Sequence, residues 1–216
     1  MNEKIKVVAF DVEGTLIENT LWGRMHPLFG VSYEQDHEWY KQYKCGALSF
    51  RDWIDTISRA WVKNPVKRAD VEEVLKDFDW TPHVFETVAV LKERGYELAV
   101  ISSGIDVFVK EVARQLSIPH FYYFNFFEFT QDDYFQKIGF VSGNTELEEK
   151  VHALKSLESK FNVAPEQIAY IGDSRNDLRA FQHTQRGILY GEGNEDLCKA
   201  AWKQITSIDE VLDLVP

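Results

Sequence analysis

Cysteine is nearly absent from this 216-residue chain: Cys45 and Cys198 stand alone, at a spacing that suits neither a metal site nor a redox pair. That excludes a disulfide-stapled secreted scaffold and predicts a reducing, cytoplasmic setting. No apolar run reaches membrane length, and no apolar leader precedes the first predicted strand. Positive charge is in deficit, with 24 Lys and Arg against 35 Asp and Glu and a formal net charge of −11. Neither nucleic acid nor a membrane is therefore an expected partner. A phosphate ligand stays open, because local groups and a bound cation can reverse the sign at one site. Internal repeats and low-complexity segments are lacking too.

What the chain does have is an ordinary globular share of hydrophobic residues, 44%, enough for one buried domain or a core plus a small second one. Its aromatic residues are uneven. Trp22, Trp39, Trp53, Trp61 and Trp80 fall between the first strand and the next α/β unit. That shift in composition marks a boundary: residues 1–17 and 81–216 as an α/β core, 18–80 as a helical cap. Within the cap, from Asn19 to about Trp80, the patterns are helical. Residues 34–44 and 49–63 have apolar spacing near 3.6, with Phe50, Trp53, Ile54, Ile57 and Trp61 on one stripe and Ser49 as N-cap. Residues 70–78 predict a short helix capped by Asp70.

From Thr81 the pattern alternates between strand and helix. Pro82 opens a helix that Gly95 ends. Strands over 96–101, 120–124, 168–171 and 187–190 alternate with helices over 105–116, 145–161 and 177–183, and a last short strand and helix close the chain. This is a three-layer, doubly wound parallel sheet. Residues 121–140 hold ten aromatics, interrupted by Gln131-Asp132-Asp133, and predict a strand running into a hairpin. Those aromatics either pack the hairpin on the core or form a homodimer face or a flap.

The chemistry gathers at predicted strand ends. The run Ile5–Phe10 reads as a buried strand that stops at Asp11-Val12-Glu13-Gly14-Thr15. Two acids there are costly unless something pairs with them, and a divalent metal would. An ordinary strand-to-loop junction with solvated acids reads the same way on its own. Ser102-Ser103-Gly104 closes a second strand at a helix start, where N–H groups can hold a phosphate or the serine can simply cap. Lys150 falls in the core stripe set by Leu147, Val151, Leu154 and Phe161, whereas Lys155 does not. A lysine aimed at the core needs an acid, unless it snorkels out at the helix end. Gly172-Asp173-Ser174-Arg175-Asn176-Asp177 follows a third strand, with two aspartates able to meet one cation.

Taken together, D-x-E-G-T at Asp11, Ser102, Lys150 and G-D-x-x-N-D at Gly172–Asp177 resemble the haloacid-dehalogenase-like superfamily, in its phosphoserine-phosphatase-like branch with a helical cap. The match spans nearly the whole chain, in the family's order. The resemblance implies a Mg²⁺-dependent phosphomonoester hydrolase acting on a small phosphorylated substrate. Asp11 would be the nucleophile, and Glu13 the acid and base, its carbonyl also binding metal. Ser102, Ser103, Gly104 and Lys150 would hold the phosphate, and Asn176 would fix the phosphate or Asp177. Asp173 and Asp177 would complete or support the metal site. Glu13 stands where most relatives carry Asp. Thr20 and Ile57 stand where phosphoserine phosphatases carry a glutamate and an arginine for the amino-acid substrate, so phosphoserine is not the expected substrate. A phosphomutase or phosphotransferase, and a catalytically weak phosphate-binding protein, are the alternative readings.

Overall fold

The computed structural model describes residues 4–18 and 20–216; Asn19, at the start of the predicted helical segment, lies outside them. Strand β1 (Val7–Phe10) leads into four helices, α1 (Leu21–Leu28), α2 (Tyr33–Lys44), α3 (Phe50–Trp61) and α4 (Arg68–Val74). Alternation then begins with α5 (Val84–Glu93), β2 (Glu97–Ile101), α6 (Asp106–Gln115) and β3 (His120–Tyr122). A hairpin of β4 (Asn125–Phe129) and β5 (Phe135–Phe140) precedes α7 (Glu146–Phe161), β6 (Ile168–Gly172), α8 (Leu178–Thr184) and β7 (Gly187–Tyr190). The chain closes with α9 (Glu195–Ala200), β8 (Lys203–Ile205) and α10 (Val211–Leu214). The expected α/β architecture is present: a six-stranded parallel sheet in the order β3-β2-β1-β6-β7-β8, with apolar clusters on both faces. No described helix is long and apolar enough to cross a membrane.

Two helix starts differ from the sequence reading. Asp70 is not an N-cap: α4 begins two residues earlier, and Asp70 accepts the Lys67 backbone N–H from the third position of the first turn. Thr81-Pro82 does not open α5 either. His83, in the left-handed region at φ 67°, sits before the first helical residue, Val84. Proline restrains φ but does not choose where the first helical hydrogen bond forms.

The tryptophans of the helical segment build a small aromatic core. Trp61 is fully buried, stacks on Phe29 at 4.2 Å and meets Phe127 and Phe135 of the hairpin edge-on at 5.8 Å. Its Nε1–H donates to His26 Nδ1 at 3.0 Å, which leaves His26 Nε2 for Asp36 at 2.9 Å. Ser58 of α3 accepts from the Ile138 N–H of β5 at 2.9 Å. Much of the aromatic segment 121–140 is thus spent packing the hairpin against the helices.

Trp61→Ala should lower stability by about 3–5 kcal/mol, because a large buried ring leaves a cavity and strands the His26 Nδ1 acceptor. Equilibrium denaturant unfolding measures it; a loss under about 1 kcal/mol would mean this core collapses freely around the gap.

Candidate active site

Sheet register sets the frame. Phe10 pairs with Val100 and with Ile171, so Asp11 is level with Ile101 and Gly172. Ser102 and Asp173 therefore leave the sheet one residue later at the same carboxyl edge, where open α/β sheets place ligands. Lys150 arrives from α7, whose start is fixed by a reciprocal Thr145–Glu148 cap and three acids in the first turn. The buried face of α7 is Lys150, Ala153, Leu154 and Leu157; Leu147, Val151 and Phe161 are only half-buried. The face is thus turned from the predicted stripe, yet Lys150 is fully buried and Lys155 exposed as expected.

The Lys150 ammonium spends all three protons inside the protein. It donates to Asp11 Oδ1 at 2.9 Å, Asn176 Oδ1 at 2.9 Å and Asp177 Oδ1 at 2.5 Å. Burial alone would favour losing its charge, but Asp11 and Asp177 outweigh that and hold Lys150 above the usual lysine range. Asp177 is saturated. Its Oδ1 also accepts the Tyr170 hydroxyl at 2.7 Å, and its Oδ2 accepts the Asp173 and Ser174 N–H groups at 3.1 and 3.0 Å. This grip requires Gly172, where a Cβ would lie 2.4 Å from the Asp177 carboxyl carbon.

Asp11 and Asp173 are less well served. Removal from water pushes Asp11 up to about 8, although Lys150 opposes it. Asp173 rises to about 7, through burial first and the neighbouring Asp177 charge second. Its side-chain support is a long bond of 3.4 Å from Thr15 Oγ1. Gly14 makes room for it: φ is +81°, and a Cβ there would come 2.3 Å from Asp173 Oδ2. Oxygens of Asp11, Asp173 and Asp177 lie within 4.8 Å of one another, three carboxylates against one ammonium. Two under-compensated acids and an all-oxygen donor set fit a hard divalent cation such as Mg²⁺.

Glu13 stands apart from that cluster. Its Oε1 accepts the Leu21 N–H at 2.7 Å, at the N-terminus of α1. Its Oε2 faces Gly104, 3.5 Å from where a Cβ would sit, beside Ser102 Oγ. Burial pushes Glu13 up to about 7, with the Leu21 N–H working against the rise. Ser102 is buried and does not cap α6; Ile105 holds that position, and Ser102 Oγ accepts the Gly104 N–H at 3.0 Å instead. Ser103 Oγ is buried without a partner among the described residues. Asn176 touches Lys150 and Ser174 rather than Asp177. All nine predicted residues thus gather at one edge, with Glu13 set to one side.

Sequence reasoning missed three supports. Asn125 is fully buried, donates from Nδ2 to the Ser103 carbonyl at 2.7 Å and from its N–H to the Gly104 carbonyl at 3.3 Å. It therefore holds the 102–104 loop from the hairpin. Tyr170 supports Asp177, and burial with the nearby acids keeps its hydroxyl protonated. Tyr43 of α2 donates to Glu146 of α7 at 3.1 Å, joining the helical segment to the sheet layer. Tyr170 carried one signal, a hydroxyl inside an otherwise apolar strand; Asn125 and Tyr43 depend on contacts distant in sequence.

Comparison with known proteins places the chain in a family. Residues 5–183 match the model of the haloacid dehalogenase-like hydrolases. A phosphoglycolate phosphatase of Vibrio vulnificus is 25% identical over an alignment of 242 positions, covering 99% of this chain and 97% of that protein. A phosphoserine phosphatase of Archaeoglobus fulgidus is 23% identical over 190 residues, 88% of this chain but 53% of its own length, so this chain spans about half of that relative. In fold, a hydrolase of the same family from Salmonella enterica serovar Typhi superposes with a TM-score of 0.83 at 22% identity, covering 97% of this chain and 70% of that one. The chain belongs to the haloacid dehalogenase-like hydrolases.

Replacing Lys150 by Met should cost about 3–5 kcal/mol in metal-free buffer, because it leaves buried acids without their cation. Denaturant unfolding in chelator measures the loss, and added Mg²⁺ should recover part of it. A variant within about 1 kcal/mol of wild type would show that water, not Lys150, compensates the acids.

Proposed function

We propose that this haloacid dehalogenase-like hydrolase is a Mg²⁺-dependent phosphomonoesterase that works through an aspartyl-phosphate on Asp11. The observation that carries the reading is the Lys150 ammonium bound to Asp11 and Asp177, with Asp173 alongside, at the carboxyl edge of the sheet. Lys150 holds one oxygen of Asp11, which leaves the other to attack phosphorus. The oxygen–phosphorus bond to the alcohol breaks as Asp11 bonds to phosphorus, and Glu13 gives its proton to the departing oxygen. Glu13 then takes a proton from water, which attacks the same phosphorus and releases phosphate and free Asp11. A Glu13 carboxyl raised to about 7 is poised for both transfers near neutral pH.

Ser102 and the N–H groups of 103–104 would cradle the phosphoryl oxygens, and Lys150 would offset their charge. Asp11, Asp173 and the Glu13 carbonyl would hold Mg²⁺, which supplies charge neutralisation at the phosphoryl group. Asp177, already saturated, acts through Lys150 and the 173–174 backbone; Asn176 orients Lys150. In this reading residues 18–80 are the cap and residues 1–17 with 81–216 the catalytic core. Glu13 bonded to the first turn of α1 supports a cap that seats on the reacting centre. The two cysteines are free and exposed, which suits a reducing, cytoplasmic compartment. The phosphoserine recognition positions stay unfilled: Thr20 is spent capping α1, and Ile57 is buried in the core.

Phosphate release from p-nitrophenyl phosphate tests the reading. Wild type should require Mg²⁺, Asp11→Asn should abolish turnover, and Lys150→Ala should lower kcat by about 10²–10³-fold. Undiminished release by Asp11→Asn would overturn the mechanism. Phosphoserine should be no better than other small phosphomonoesters.

A further inference from the structure

A cavity of about 240 Å³ lies between the start of α3 and the start of α7, the helix that carries Lys150. Its walls include Phe50 and Arg51 from α3, Phe124 and Phe140 at the two ends of the hairpin, and Glu146 and Glu149 from α7. Two of its walls are continuous in the chain with residues of the site. Glu146 precedes Lys150 by four residues, about one helical turn of 5.4 Å. Phe124 directly precedes Asn125, whose side chain holds the Ser103 carbonyl.

The charges on these walls do not cancel. Arg51 rests on the Phe140 ring at 3.9 Å and gives an N–H to the Ser142 carbonyl at 2.7 Å, so its cation already has a π face and an acceptor. Glu149 accepts from Asn144 at 2.8 Å and from Ser142 Oγ. Glu146 is the carboxylate with least support: one oxygen takes the Tyr43 hydroxyl at 3.1 Å. Neither glutamate forms an ion pair with Arg51 among the described residues. His152, half-exposed and off the wall, stands 4.0 Å from Glu149; with that imidazole neutral, two carboxylates against one occupied guanidinium leave the cavity net negative, with three phenylalanine rings around it. Arg175 lies within electrostatic reach of Tyr43 but is exposed and off the wall, where water screens it.

We propose that this cavity receives the leaving group of the phosphomonoester and selects one carrying a single positive charge, a phosphorylated amino alcohol. The inference rests on the phosphatase reading and names its substrate class. An ammonium would meet the free oxygen of Glu146 beside the Phe50 and Phe124 rings, a carboxylate with aromatic neighbours being the combination that recognises alkylammonium ions. A carboxylate in the same place would face Glu146 and Glu149 and be rejected by like charge.

The test is kcat/KM of the protein with Mg²⁺ for phosphoethanolamine and phosphocholine, against glycerol phosphate, phosphoglycolate and phosphoserine. p-Nitrophenyl phosphate reports the reacting centre. The amino-alcohol esters should exceed glycerol phosphate by about tenfold or more, with the difference in KM. Glu146→Gln, which keeps an acceptor for Tyr43, should remove most of that advantage by raising KM for the cationic esters. If p-nitrophenyl phosphate is hydrolysed but glycerol phosphate or an anionic ester matches the amino-alcohol esters, the cavity assignment is overturned and the phosphatase reading stands. An advantage that survives Glu146→Gln overturns the assignment as well. No hydrolysis of any ester overturns the phosphatase reading and this inference with it.

Discussion

Everything at the carboxyl edge of the sheet depends on one ammonium. Lys150 sits where water is excluded and faces Asp11, Asp177 and the Asn176 amide oxygen at hydrogen-bond distance. Buried carboxylates are tolerated only when paired, and one cation cannot serve three of them. The protein resolves this unevenly. Among the described residues Asp177 receives four donors; Asp11 shares only Lys150, and Asp173 leans on a distant Thr15 hydroxyl. Poorly compensated acids are the ones that keep an incentive to bind a cation or react. Which of these chemically identical side chains stays under-compensated therefore follows from their donor counts.

That constraint explains the glycines on either side. Asp177 can grip the Asp173 and Ser174 amides only because Gly172 presents no Cβ to its carboxylate. Asp173 can approach the 11–15 loop only because Gly14 has none either, and takes a positive φ as well. Two strand ends are thereby brought closer than side-chain-bearing residues would permit. A compact group of acids follows, and the lysine is needed because the group is compact.

Much of this was legible in the chain because its cause is local. Apolar runs ending in Asp11, Ser102 and Asp173 mark strand ends, and a parallel sheet must line those ends up at one edge. Lys150 stood out as a charge within an apolar helical stripe. The stripe itself was misplaced, since Leu147 and Val151 are half-buried while Ala153 and Leu157 are not: hydrophobicity ranks side chains, but packing decides which face turns inward. Asp70 shows the same limit at a helix end, because an acid three residues into a helix looks like a cap until the backbone bond is seen. Asn125 and Tyr43 had no local signature. Their meaning lies in bonds to Ser103 and Glu146, 22 and 103 residues away.

Those long-range bonds tie the helical segment to the chemistry. Leu21, at the start of α1, holds Glu13; Asn125, at the start of the hairpin, holds the 102–104 loop; the hairpin packs through Phe127 and Phe135 on Trp61. Displacing the helices would therefore disturb the Glu13 carboxylate and, through the hairpin, the loop proposed to hold the phosphoryl group. Glu13 would lose an N–H that favours its charged form, and the loop would lose its side support. Aromatic packing far from the reacting atoms thus becomes a condition for the site's geometry. The concentration of tryptophan in this segment then has a mechanical reason: rings lock one another with few rotatable bonds, and a stiff helical segment transmits its position where a loose one would not.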